Sequence, residues 1–315
     1  MKTVIETERL SLREMNMDDF EALREVLSDR ENMKYYPYVF DETKVKEWIQ
    51  RNLNRYEFNG FGLWTVCLKE SGEVIGDCGL SLQNIQGEVL PEIGFHIRRD
   101  LQKQGYGKEA AAAVLDWAFR NTKYKTIYSC CKYTNEPSIR TAQSIGMHLE
   151  KEYPDSVNIF TSVSVIHWNE YLEQLKEKMI SWAQDRLGST KYNDSCLSFI
   201  EDALEKSNHI KICGGNSAKD SYNLYKDELH QGKPERGAFV FYDCLSISEE
   251  GPIKWGHCGI SLRDGQVIHA FDRVRIDDYL EIEKLTAPGG DHPRYLGWVT
   301  VERVLRQKPS GRNNE

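Results

Sequence analysis

Gln102-Lys103-Gln104-Gly105-Tyr106-Gly107-Lys108-Glu109-Ala110 is the stretch on which the reading of the first half turns. It follows a strand-like segment, Glu92 to Arg98, and runs into a helix, Lys108 to Arg120, whose apolar residues Ala111, Val114, Leu115 and Ala118 recur at helical spacing. Glycines at 105 and 107 let the backbone approach a ligand, and amide hydrogens at the head of the following helix favour a pyrophosphate there. By itself, Gly-x-Gly also fits a plain turn entering a helix.

Outward from this loop, short strands alternate with amphipathic helices from Arg9 to Ile166. Leu10 to Arg13 reads as a strand and Met17 to Leu27 as a helix begun near Asn16. Trp64, Val66 and Leu68 alternate with polar positions, and Ser71-Gly72 turns the chain into Val74 to Leu80, which predicts a hairpin. Asn158 to Ile166 is strand-like, whereas Trp168 to Leu187 has helical periodicity, so a boundary falls near Asn169. No Pro/Gly/Ser-rich linker separates the halves, which predicts a close junction. The expected domains are 1–168 and 169–307, and the polar stretch 308–315 is expected to be a disordered tail.

The 102–110 stretch resembles the Q/R-x-x-G-x-G/A motif of the GNAT acetyltransferases, with Gln102, Gly105 and Gly107 at its fixed positions. Glu6 to Leu10, Trp64, Gly76 to Leu80, Glu92 to Phe95, Asn135 to Ser138 and Gly146-Met147 look like the branch that includes ribosomal-protein alanine acetyltransferases. The resemblance implies an α/β fold, a mixed sheet flanked by helices, with acetyl-coenzyme A as co-substrate. It also implies pyrophosphate binding at Gln104, Gly105, Tyr106, Gly107 and Lys108, and pantetheine pairing along Phe95, His96 and Ile97. Asn135 and Ser138 would flank the cofactor near its thiol; an Asx-type cap on the next helix is the other reading. Glu92, at the start of the cofactor-bearing strand, is the candidate base, with a surface carboxylate as the alternative. The resemblance would also call for a tyrosine as acid, and none stands at a clear matching position, Tyr133 being merely near it.

In the second half, Asn193-Asp194-Ser195 offer caps for a helix whose face carries Cys196, Phe199, Ile200, Ala203 and Leu204. A thiol in the first turn feels the positive end of the dipole, which favours thiolate; a small buried core residue is the plainer reading. His257 and His269 lie in two strand-like segments joined at Arg263-Asp264-Gly265. A two-residue loop would put the histidines on opposite faces. A three-residue loop with left-handed Gly265 pairs Gly259 with His269, unites them on one face, and is the one predicted. Nucleophile, base and orienting partner would then be Cys196, His257 and His269.

This half resembles the NlpC-type cysteine peptidases, in the order nucleophile helix, Gly256-His257-Cys258-Gly259-Ile260 strand, and strand ending in Ile268-His269-Ala270, with Pro234 to Tyr242 as a preceding strand. The resemblance implies a papain-like α+β domain with a small antiparallel sheet and an N-terminal nucleophile helix. Ser195-Cys196-Leu197-Ser198 departs from the family's Asp-Cys-Ser-Gly.

The 315 residues suit two cores, and a net charge of -8 argues against nucleic acid or an anionic membrane as partner. The opening lacks a signal-length apolar run and no span of membrane length follows, which places the protein in the cytosol. Eight cysteines without Cys-x-x-Cys predict free thiols and no metal site. The expectation is thus a bifunctional enzyme. One half acetylates a small-molecule or peptide amine, and the other cleaves a peptide-like amide. The competing readings are a second domain that only binds peptide, and a cofactor-sensing regulator with two inactive domains.

Overall fold

The computed structural model describes residues 2–193, 195–212, 214–248, 251–287 and 290–306. Asp194, Cys213 and the expected tail at 308–315 lie outside the described residues. The chain divides into two compact units between Tyr171 and Leu172. Among the described residues, no helix is long and apolar enough to cross a membrane, and Cys67, Cys78, Cys130, Cys131, Cys196, Cys244 and Cys258 are all free.

The first unit is built on strands β1 (Thr3–Glu6), β2 (Leu10–Arg13), β3 (Leu63–Leu68), β4 (Val74–Ile85), β5 (Glu88–Ile97), β6 (Thr126–Lys132), β7 (His148–Asp155) and β8 (Ile159–His167), with α1 (Phe20–Leu27), α2 (Glu42–Asn59), α3 (Tyr106–Asn121) and α4 (Glu136–Ser144) around them. The mixed sheet has the order β1-β2-β3-β4-β5-β6-β8-β7. Its pairs are antiparallel except β5 with β6, which run parallel and meet at one register position, Glu92 opposite Tyr128. The expected hairpin forms β3 and β4, with Trp64 opposite Cys78.

Local chemistry accounts for the ends of these elements. The expected helix from Met17 opens as a 3-10 turn, Met17–Asp19, because Asn16 and Asp19 make a reciprocal capping box, and α1 follows. α2 starts where the Asp41 side chain accepts the Lys44 N–H at 2.8 Å, and it ends at left-handed Gly60. α3 begins at Tyr106, two residues before the expected Lys108, because Gly105 takes φ +87° as its N-cap and turns the chain directly into the helix.

One face of the sheet packs on α1 and α2 through Met15, Leu23, Leu27, Met33, Phe40, Val45, Ile49 and Leu63. Ala110, Ala111, Val114, Leu115 and Ala118 of α3 are buried as well. Each large aliphatic side chain so removed from water stabilises the unit by roughly 1.5–3 kcal/mol. At Gly79 of β4, a Cβ would lie 2.2 Å from the Gly62 carbonyl oxygen, so only glycine allows β3 its place.

Helix α5 (Trp168–Gln184) runs across the division. The second unit continues with α6 (Cys196–Asn208), α7 (Ala218–Tyr225), β9 (Phe239–Asp243), β10 (Leu245–Ser248), β11 (Gly251–Lys254), β12 (His257–Ser261), β13 (Gln266–Ala270), β14 (Val274–Asp278), β15 (Arg294–Val299) and α8 (Val301–Leu305). Its five-stranded antiparallel sheet has the order β14-β13-β12-β9-β15, and β10 and β11 form a separate pair. Phe199, Ile200, Ala203 and Leu204 of α6 are fully buried, as are Val240, Phe241, Ile260 and Ile268 of the sheet.

Candidate functional sites

In the first unit the loop before α3 is held from three sides. Gln102 donates to the Ile97 carbonyl at 3.0 Å and to the Asn32 side chain, which ties the loop to the end of β5. The Gln104 side chain donates to the Asp100 carbonyl at 3.3 Å, and its own carbonyl accepts from Arg9 at 3.0 Å. Arg9 also lies 4.4 Å from the centre of the Tyr106 ring and is gripped by Glu109 in the first turn of α3. The Glu109 carboxylate further accepts the Thr7 hydroxyl at 2.6 Å and the Arg9 N–H at 2.9 Å.

Gly105 provides no side-chain cap, and the first backbone bond of α3 is the Glu109 N–H to the Gly105 carbonyl at 2.9 Å. The N–H groups of Tyr106, Gly107 and Lys108 therefore precede the ladder and point out of the helix head, where Tyr106 and Gly107 are half-buried and Lys108 is exposed. A Cβ on Gly107 would lie 3.6 Å from the Phe95 ring and 3.7 Å from Ile97, so this head adjoins β5. The donor set fits a pyrophosphate: backbone amides at the positive end of a 16-residue helix, with Lys108 exposed beside them.

Beyond Glu92, β5 continues to Ile97 while β6 diverges from it. Glu92 sits in the crotch, where its carboxylate accepts the Cys130 N–H of β6 at 3.2 Å. Burial pushes its pKa up to about 7, against the opposing pull of that N–H and of the Arg55 charge. Alternation and the β4–β5 register put Glu92, Gly94 and His96 on one face, opposite Ser81, Gly79 and Asp77. Phe95 and Ile97 take the other face, toward Gly107.

His96 is 8% exposed and its imidazole is fully engaged: Nδ1 lies 2.7 Å from Asp77 Oδ1, and Nε2 lies 2.6 Å from the Tyr36 hydroxyl. Trp48 donates to the other Asp77 oxygen at 2.8 Å. Asn135 caps α4 by accepting the Ser138 N–H at 3.3 Å, so the Asx-cap reading describes its side chain. The Ser138 side chain bonds the Cys131 thiol, whose pKa burial nonetheless pushes up to about 11. Tyr133 packs edge-on against Phe160, with ring centres 5.8 Å apart.

In the second unit α6 begins at Cys196 with Ser195 as N-cap, but the expected side-chain cap bond from Ser195 is absent. The thiol bonds the side chains of Cys258 and His257 and the Cys258 N–H. Led by the Cys258 bond and offset in part by burial, these contacts hold its pKa well below the usual thiol range. The β12–β13 register pairs Gly259 with His269, as the three-residue loop requires, with φ +59° at Asp264 and +82° at Gly265.

His257 and His269 therefore share a face, with His257 Nε2 and His269 Nδ1 2.9 Å apart. His269 Nε2 lies 3.0 Å from Asp277 Oδ2. Asp277 also takes two bonds from Arg275, at 2.6 and 2.9 Å, and its pKa is held well below the carboxylate range, first by the bond from His269. Burial of His269 lowers its pKa to about 4, so it is neutral. With His269 Nε2–H donating to Asp277, its Nδ1 accepts from His257 Nε2–H, which leaves the Nδ1 lone pair of His257 for the thiol. The sequence reading missed Asp277; its signal was the alternation of Arg275 and Asp277 on the strand next to His269.

Comparison with known proteins bears on the first unit. The acetyltransferase (GNAT) domain family matches residues 9–148. The uncharacterized protein YkkB of Bacillus subtilis is 34% identical over 151 residues, which are 48% of this chain and 88% of that protein. The uncharacterized N-acetyltransferase YnaD of the same organism is 33% identical over 147 residues, 46% of this chain and 83% of its own. Among solved structures, a GNAT-family acetyltransferase from Bacillus anthracis is 28% identical with a TM-score of 0.46, covering 52% of this chain and 98% of its own. An acetyltransferase from Agrobacterium tumefaciens is 29% identical with a TM-score of 0.47, covering 53% and 95%. Through its first unit, this chain belongs to the GNAT acetyltransferases.

Proposed function

We propose that the first unit transfers the acetyl group of acetyl-coenzyme A to the amine of a small molecule or peptide. The observation that carries this reading is the opening between β5 and β6, which has the α3 head with its outward amides at one side and Glu92 at its apex. Acetyl-coenzyme A supplies the activated carbonyl. Gln104 to Lys108 hold its phosphates through main-chain N–H groups, and Gln102 and Arg9 keep that loop in place. The free edge of β5 from Phe95 to Ile97 orients the pantetheine arm. Glu92, with a pKa near 7, takes a proton from the nitrogen as it attacks. Incubation of the full chain with labelled acetyl-coenzyme A and a panel of alkylamines, polyamines and dipeptides, read by mass spectrometry, tests this. Transfer to none of them, with coenzyme A failing to bind, would remove the reading.

For the second unit we propose a thiol hydrolase acting on a peptide-like amide, papain-like in its division of roles and similar to the NlpC-type peptidases. What supports it is the continuous chain Cys196, His257, His269, Asp277, three of whose members are placed to hold one imidazole tautomer. His257 accepts the thiol proton, Cys196 attacks the carbonyl carbon, and His257 then protonates the leaving amine. A peptide-binding domain without hydrolysis is the second reading; it gains from the departure around Ser195 to Ser198. An electrophilic thiol probe that labels wild type and Cys196→Ala equally would favour it.

A further inference from the structure

The acetyl-transfer reading leaves one proton unaccounted for. An amine arrives as an ammonium with three N–H bonds and leaves as an amide with one. One C–N bond forms, the C–S bond breaks, and the departing thiolate recovers a single proton. Nitrogen therefore sheds two protons, and Glu92 can hold only one at a time.

The Asp77–His96–Tyr36 chain lies on the same face of the sheet, beyond Gly94 from Glu92. Gly94 is the floor between them, where a Cβ would make only an ordinary contact with Leu63 Cδ2 at 3.8 Å. The donor order is fixed from the buried end. Asp77, fully buried, accepts Trp48 on one oxygen and His96 Nδ1–H on the other. His96 Nε2 then carries a lone pair, and the Tyr36 hydroxyl at 2.6 Å must donate to it. The lone pairs of the Tyr36 oxygen then have acceptor capacity for a ligand N–H. Tyr36 is 43% exposed as a residue, while its hydroxyl is tucked against His96 at the inner end of the side chain. Burial, and then the nearby charges of Glu92 and Asp77, hold the Tyr36 hydroxyl protonated by pushing its pKa well up.

We propose that Tyr36, backed by His96 and Asp77, binds the incoming ammonium through its phenol oxygen and takes the first proton from it, passing its own hydroxyl proton to His96 Nε2 and leaving Glu92 to take the second. The step balances: the ammonium becomes an amine, His96 becomes an imidazolium paired with the Asp77 carboxylate, and the proton returns to solvent through Tyr36 after the product leaves. The acceptor class is then an amine that is charged at neutral pH. The inference rests on the acetyl-transfer reading of the first unit.

The test uses the full chain and the amine that wild type acetylates fastest from the panel, paired with its aminooxy isostere, which is uncharged at neutral pH and needs no first deprotonation. Tyr36→Phe and His96→Gln lower kcat/KM for the amine about 100-fold but leave the aminooxy compound within about 3-fold of wild type. Glu92→Gln slows both. Tyr36→Phe keeps the ring, and calorimetric coenzyme A binding at wild-type affinity certifies its fold. Equal slowing of both acceptors by Tyr36→Phe makes Tyr36 a wall of the pocket and overturns the relay, as does no slowing of either. Wild type that acetylates neither member of any pair overturns acetyl transfer itself, a result separate from the relay's failure.

Discussion

Replacing Glu109 by alanine removes one carboxylate that joins segments a hundred residues apart, so it is a sharp test of how the phosphate-facing loop is held. The side chain accepts the Thr7 hydroxyl and the Arg9 N–H and pairs with the Arg9 guanidinium. Hydrogen bonds to a charged acceptor contribute about 1.5–3 kcal/mol each. The low end applies, because Arg9 is 43% exposed and water can replace part of what is lost. The guanidinium pair itself adds ~0.2–1 kcal/mol for the same reason. The expected loss is about 3–4 kcal/mol, which for a unit of this size lowers Tm by about 6–16 °C. Burial raises the Glu109 pKa, but the Thr7 and Arg9 bonds outweigh it and leave a net lowering. That stability is present above the unfolded carboxylate pKa of about 4.3 and is lost as pH falls through the folded value. Thermal unfolding of the full chain, measured from neutral pH into acid, should show the gap between wild type and variant closing on acidification. Hydrogen exchange should quicken at 102–108. A variant that melts within 2 °C of wild type, or a gap that is the same at every pH, refutes the clamp.

Glu92→Gln should lower acetylation about 100-fold and abolish a limb of the pH–rate profile that in wild type rises through about 7, since a base must be ionised to act; a limb that survives the substitution points to another group. At pH 6, iodoacetamide should alkylate Cys196 well before buried Cys258, whose pKa burial raises, and peptide mapping that finds the reverse order removes the activated thiolate. Gly79→Ala should cost about 3 kcal/mol or more in thermal or urea unfolding, because both the Gly62 oxygen at 2.2 Å and the Leu63 Cα at 2.5 Å are backbone atoms that cannot move aside. An unchanged melt would show that β3 and β4 can separate freely.

What could be read in advance was local. Ser71-Gly72 announced the β3–β4 hairpin, and Arg263-Asp264-Gly265 carried enough turn chemistry to fix the face shared by His257 and His269. What escaped depends on contacts distant in sequence. α2 is mostly polar, so its periodicity is weak, although Asp41 marks its start. Asp77 meets His96 only through the β4–β5 register, and Tyr36 reaches it from the segment between α1 and α2. Asp277 joins its site from a third strand. Asn135 shows the limit of motif reading: its side chain is occupied as a helix cap.

The lone meeting point of β5 and β6 has one more implication. A sheet joined there at one register position leaves the β6-facing main-chain groups of β5 beyond Glu92 as a border without a strand partner, apart from the Ile97 carbonyl that Gln102 holds. Any molecule that lays an amide-bearing arm along that border supplies the absent rungs. Occupancy should therefore stiffen the first unit from its middle outward, and slower amide exchange on β5 would register it before any product forms.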